Sequence, residues 1–139
     1  MEPIILTYTV DGEDFSMAGE ASSATKKTLK QLGFSPDIIR RVAIAMYEGE
    51  INMVIHAEGG EATVEISQDK IKIILADHGP GIKDIDLAMQ EGYSTAPEEV
   101  RNLGFGAGMG LPNIKKYSDD LKIDSVPGVG TTLTITISA

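Results

Sequence analysis

At 139 residues the chain has the length of one domain with a real core, and 42% hydrophobic with 24% charged residues is the balance of a soluble globule. Twelve Lys and Arg against 21 Asp and Glu leave a net charge of −9 with no Lys/Arg cluster along the sequence, which argues against nucleic-acid binding by phosphate neutralisation. The absence of cysteine rules out disulfides, a thiolate nucleophile and cysteine metal sites.

The start, Met1-Glu-Pro-Ile-Ile-Leu6, lacks the basic and long apolar regions of a signal peptide. No apolar run approaches the roughly 18 residues of a membrane helix. The expectation is a single cytoplasmic domain over residues 1–139. Ile4 to Val10 alternates apolar and polar residues and stops at Asp11-Gly12, a strand then a turn, with Asp14 to Met17 placed to pair back on it. Ala18 to Leu32 predicts a helix closed by Gly33, and Ser35-Pro36 opens the next. That second helix, Asp37 to about Ala57, carries a wide apolar stripe that includes Ile39, Val42, Met46 and Val54, and Glu58-Gly59-Gly60 ends it. Ala62 to Ser67 and Ile71 to Ala76 are strands around a tight turn, the second apolar enough to lie centrally in the sheet. Asp84 to Gln90 reads as a short helix, and Glu91 to Gly108 has no sustained period. Met109 to Ser118 is helical, and Leu121 to Ser125 with Thr131 to Ser138 form a closing hairpin. The expected fold is an α/β (α+β) two-layer sandwich, a mixed, mainly antiparallel sheet with helices on one face.

Three stretches carry chemistry. In Glu48-Gly-Glu-Ile-Asn52 the outer residues stand one helical turn apart, so a carboxylate and a carboxamide share a face. Asn52 offers a neutral oxygen suited to magnesium, and Glu48 could orient or deprotonate a nucleophile. The same pair alone also fits a solvated polar face. Gly49 costs a helix about 1 kcal/mol relative to alanine, which suggests close approach of something to the helix.

Asp77 follows the apolar strand Ile71 to Ala76, where a carboxylate is costly unless satisfied. An adenine amino group would satisfy it, with Gly79 and Gly81 letting a base lie against the backbone; an ordinary Asp-Gly turn is the alternative. Gly104, Gly106, Gly108 and Gly110 alternate into a helix whose amides and positive end suit phosphates, unless the array is simply a flexible loop. No Lys-Ser/Thr follows, so it is not a Walker A loop. Residues 95–108 fit a lid over bound nucleotide.

Glu48-x-x-x-Asn52, Asp77-x-Gly-x-Gly81, Gly106-x-Gly-x-Gly110-Leu111 and Gly130-Thr131 resemble, in order, the N, G1, G2 and G3 boxes of the GHKL (Bergerat-fold) ATPases. Within these the chain is similar to the stand-alone anti-sigma-factor serine/threonine kinases, through Asn52-Met-Val-Ile-His56, Gly92-Tyr-Ser-Thr95, Gly110-Leu-Pro-Asn-Ile114 and Val126-Pro-Gly-Val-Gly-Thr-Thr132. The resemblance implies binding of ATP or ADP, with Asn52 as magnesium ligand and Glu48 as general base for a protein serine. It implies that Asp77 binds the adenine amino group beside Gly79 and Gly81, supported by Thr131. Gly104, Gly106, Gly108, Gly110 and Leu111 would hold the phosphate side, and Arg101 would reach the γ-phosphate. Implied partners are an antagonist protein and a sigma factor or other regulator, with homodimerisation through the N-terminal strand.

Met53 departs from the small residue usual after the asparagine, and residues 97–104 lengthen the lid. Three classes follow: a protein serine/threonine kinase, a nucleotide-dependent binding switch, and a detached histidine-kinase-like ATPase domain.

Overall fold

The architecture was taken from a computed structural model, which describes residues 3–11, 19–56, 59–79, 110–126 and 128–139. The expected strand at 14–17, the helix at 84–90 and the aperiodic stretch at 91–108 lie outside the described residues. In chain order the elements are β1 (Ile4–Asp11), α1 (Glu20–Gln31), α2 (Pro36–His56), β2 (Gly59–Ile66), β3 (Lys70–Asp77), α3 (Gly110–Tyr117), β4 (Asp120–Val126) and β5 (Gly130–Ser138). Gly59 and Gly60 open β2, so they begin a strand as well as following a helix.

The five strands are ordered β1-β2-β3-β5-β4, and all four described pairings are antiparallel. β3 is central, as its apolar run predicts. Side chains alternate across the pleat. Val64, Ile71, Ile73, Leu75, Leu133, Ile135 and Ile137 turn inward and are buried against the helices. Thr63, Ile74 and Thr134, aligned by the register, form a row on the other face. Burying one face of each strand fixes the register, since a one-residue slip would turn every inward side chain outward.

α2 crosses the inner face, with Val42, Met46, Met53 and Val54 buried in the core. Gly49 is the point of close approach anticipated above. A Cβ there would run into the Leu75 side chain and lie 3.8 Å from Ile114 Cδ1. Both flanking helices run antiparallel to α2. Asn113 meets Glu48, whereas Arg41 Nε donates to the Tyr117 carbonyl (3.1 Å) and Arg41 Nη2 to Asp119 Oδ2 (3.0 Å). The Ser138 amide, first, and then Arg41 hold the Asp119 carboxyl below its ordinary value. No helix among the described residues is long and apolar enough to cross a membrane.

α1 is anchored by a residue that belongs to α2. Its N-cap is Gly19, at φ 97°, with no side-chain cap of its own. Glu50, 2% exposed, supplies the missing acceptor. Its Oε2 accepts from the amides of Gly19 (2.8 Å) and Ala21 (3.1 Å), and its Oε1 from Ser22 (3.0 Å). A buried carboxylate is tolerable when several charge-assisted bonds converge on it, and the positive end of α1 adds to them. Gly19 also lies under Tyr47, whose ring carbon Cε2 would be 2.9 Å from a Cβ at that position. Glu50→Ala orphans these amides at once. The expected loss of stability is about 2–3 kcal/mol by urea denaturation, and a loss below about 0.5 kcal/mol would contradict the anchoring role.

Candidate functional site

The end of the sandwich that holds the C-terminal half of α2 also holds the end of β3 and the start of β5. The link is tight. A Cβ on Gly60 would collide with the Ala76 carbonyl oxygen and lie 2.6 Å from Met53 Cε and 2.9 Å from Asp77 Cα. Met53, large where a small residue is usual, is thus seated against a glycine, and is 2% exposed.

Asp77 is the last residue of β3 and is partly buried. Its Oδ1 accepts from the backbone amides of Gly79 (3.0 Å) and Thr131 (3.0 Å). Among the described residues no donor reaches Oδ2. Gly130 makes this possible: at φ 151° it starts β5 so close to β3 that a Cβ would collide with the Asp77 carbonyl oxygen. Thr131 is buried, with its Oγ1 3.0 Å from Ser125 Oγ and its amide aimed at Asp77.

On α2, Glu48 is half-buried and receives the carboxamide of Asn113 from α3, Nδ2 to Oε1 at 3.5 Å. Burial raises the Glu48 carboxyl above its ordinary value, and the Asn113 bond opposes that rise. Asn52 is partly exposed one turn further on, and its side chain has no hydrogen-bond partner among the described residues. Leu111, at the start of α3, is buried in the hydrophobic cluster. Gly110 begins α3, so the glycine array does run into a helix. Gly81, Arg101, Gly104, Gly106 and Gly108 lie outside the described residues. Glu48, Asn52, Asp77, Gly79, Gly110, Leu111 and Thr131 are therefore placed on the elements that converge at this end.

Two residues escaped the sequence reading. Asn113 gave only a weak signal, one turn into a helix behind the glycine array. Glu50 gave a better one. It lies on the buried stripe between Met46 and Met53, and an acid there demands donors, while α1 begins without a Ser, Thr, Asp or Asn cap.

Asp77 Oδ2 suits a ligand's amino donor, and the Asn52 carboxamide suits a hard cation that keeps several waters. Among the described residues no three His, Cys, Asp or Glu are grouped to hold a metal by themselves. These features define a class, an α/β sandwich with an acid at the end of a central strand and a carboxamide on the helix that crosses it. The chain matches the family model described as the histidine kinase-like ATPase domain over residues 14–137, and it belongs to that family. Membership implies ATP binding. The chain is 34% identical over 110 residues to a protein of Bacillus subtilis (strain 168) named serine/threonine-protein kinase RsbT, covering 76% of this chain and 77% of that one. It is 36% identical over 111 residues to an anti-sigma F factor of Thermoanaerobacter sp. (strain X514), covering 76% and 74%. A crystal structure of the RsbU and RsbW domains of Rv1364c from Mycobacterium tuberculosis shares the fold, with TM-score 0.65 and 16% identity. The match covers 98% of this chain and spans 33% of that longer one.

The raised Glu48 carboxyl has a signed consequence. The folded chain binds this proton more tightly than the unfolded one, so stability declines as pH climbs from about 4.3 through the raised folded value. Glu48→Gln is expected to raise the urea midpoint above wild type at about pH 7, and the gain should close near pH 4. A gain that is equal at both pH values would refute the burial effect.

Proposed function

We propose that this chain is a cytoplasmic protein serine/threonine kinase that uses Mg-ATP to control a regulatory partner in the manner of an anti-sigma factor. The observation that carries the reading is Asp77, pinned through Oδ1 by two backbone amides, with Oδ2 left to accept from an adenine amino group. Gly79, Gly81 and Thr131 would frame the base. Asn52 would hold the magnesium ion, which when bound neutralises phosphate charge. Gly104, Gly106, Gly108, Gly110 and Leu111 would seat the phosphates, with Arg101 at the γ-phosphate; the sequence match alone supports the members outside the described residues. The relatives' names support the regulatory role: one is called a serine/threonine kinase and others anti-sigma F factors.

In this reading Glu48 accepts the proton of a serine hydroxyl on an antagonist protein. The serine oxygen bonds the γ-phosphorus, the bond from that phosphorus to the β–γ bridging oxygen breaks, and ADP leaves. Burial keeps the Glu48 carboxyl a stronger proton acceptor than an exposed one, which suits a base. Positioning and charge neutralisation supply the rest.

Glu48→Gln is expected to lower transfer of labelled γ-phosphate to a partner serine at least a hundredfold while ATP still binds in calorimetry. Asp77→Asn keeps an oxygen for the two amides but turns a donor toward the adenine amino group. It should weaken ATP binding at least tenfold, on the order of 1–3 kcal/mol. A second reading, a nucleotide-gated binding switch, is favoured by the relatives named for the factor they oppose. It replaces the first if Asn52→Ala alters partner binding while wild type labels no protein. An acid-labile label would instead signal phosphohistidine and a histidine-kinase-like module.

A further inference from the structure

Among the described residues, charge is unevenly distributed between the helices and the strands. Seven of the chain's twelve Lys and Arg lie on the three described helices, beside only four of its 21 acids, two of which are the half-buried Glu48 and the buried Glu50. The other described residues set three cations, Lys70, Lys72 and Lys122, against eight acids. No run of basic residues announces this in the sequence. The fold creates it, because α1 and α3 both run antiparallel to α2.

That arrangement brings the C-terminal half of α1, the first turns of α2 and the last turn of α3 to one end. Lys26, Lys27 and Lys30 of α1, Arg40 of α2, and Lys115 and Lys116 of α3 are all exposed there. Their acidic company is thin. Asp37 pairs with Arg40 at 3.4 Å, Asp119 is taken up by Arg41 and the Ser138 amide, and Asp120 is exposed at the start of β4. Tyr117 lies between Arg40 and Lys116, each cation 5.5 Å from the ring centroid. Leu32, at the C-cap of α1, is 45% exposed in the α1–α2 joint, an apolar point beside the cations. Cations at helix C-termini complement the dipoles of α1 and α3, and Arg41 already serves that purpose on the Tyr117 carbonyl. Lys26, Lys27 and Arg40 lie beyond what either terminus needs.

We propose that this end of the helical layer is a docking surface for an acidic, amphipathic segment of a partner protein. Cations surrounding an exposed leucine and a tyrosine suit carboxylates arranged around an apolar anchor. A compact segment can touch the patch alone. A long polyanion or a charged bilayer would also meet the acids of the adjoining sheet, Asp69, Asp119 and Asp120, which are exposed at the same end. The surface is separate from the candidate nucleotide site. Along α2, Arg40 and Glu48 are eight residues apart, about 12 Å of helix. A partner held here leaves the other end open, whether or not the chain transfers phosphate.

The test uses the full isotope-labelled chain without nucleotide, titrated by NMR with a synthetic helical peptide of Glu and Leu in amphipathic spacing. Amide shifts should centre on residues 26–41 and 115–117. Affinity should fall at least tenfold between about 50 and 300 mM salt. It should fall at least tenfold again in Lys26→Glu/Lys30→Glu/Lys116→Glu, checked for folding by circular dichroism. Lys27→Gln/Lys115→Gln provides a milder second variant if the reversal does not fold. Shifts centred elsewhere, affinity insensitive to salt or to both variants, or tighter binding of duplex DNA or phosphatidylserine vesicles would overturn the proposal. Saturation of the patch by a second copy of the chain would overturn it too.

Discussion

One carboxylate, fully enclosed, accepts three amides that open another helix, and much of the arrangement follows from it. Glu50 sits on the inward stripe of α2 and replaces the cap that α1 lacks. The bonds fix the start of α1 against one level of α2, and Gly19 under Tyr47 leaves no room for sliding. Because Glu50 stands between Glu48 and Asn52 in sequence but turns about 200° from Glu48 around the helix, locking it to α1 also sets which way those two side chains face. A structural acid and two candidate functional residues thus share one turn and a half of helix without competing for the same side.

At the sheet the corresponding constraint is the absence of side chains. Gly49, Gly60 and Gly130 each stand where a Cβ would strike a neighbour: the Leu75 side chain, the Ala76 carbonyl and the Asp77 carbonyl. Without the last of these, β5 could not start close enough to place the Thr131 amide on Asp77. Close backbone approach, more than charge, orients the acid. The proposed electrostatics therefore depend on packing, since a carboxylate that can rotate offers no fixed acceptor to a base.

The sequence was most legible where period and punctuation agreed. The apolar run of Ile71 to Ala76 marked the central strand, and the Gly33 and Ser35-Pro36 signals separated α1 from α2. The ordered motifs fall on defined elements, with Glu48 and Asn52 on α2, Asp77 at the end of β3 and Gly130-Thr131 at the start of β5. What the sequence concealed were contacts between elements distant along the chain. The place of Glu50 on the apolar stripe calls for donors but does not name them, since its partners are 28 to 31 residues away. Gly49 suggested a close approach without showing that a leucine of the sheet makes it. The lysines of α1 and α3 are 85 to 90 residues apart and show no common purpose until both helices are seen to end at the same level.

The strand order carries a consequence for the making of the protein. β5 follows the other four strands in sequence, yet it lies inside the sheet between β3 and β4. While the chain is emerging from the ribosome, the edge of β3 is bare and β4 has no neighbour to join. That interval exposes an apolar strand, Ile71 to Leu75, to strangers of similar shape. The amide of Thr131 arrives with the same closing strand, so the corner around Asp77 matures only when the sheet is sealed.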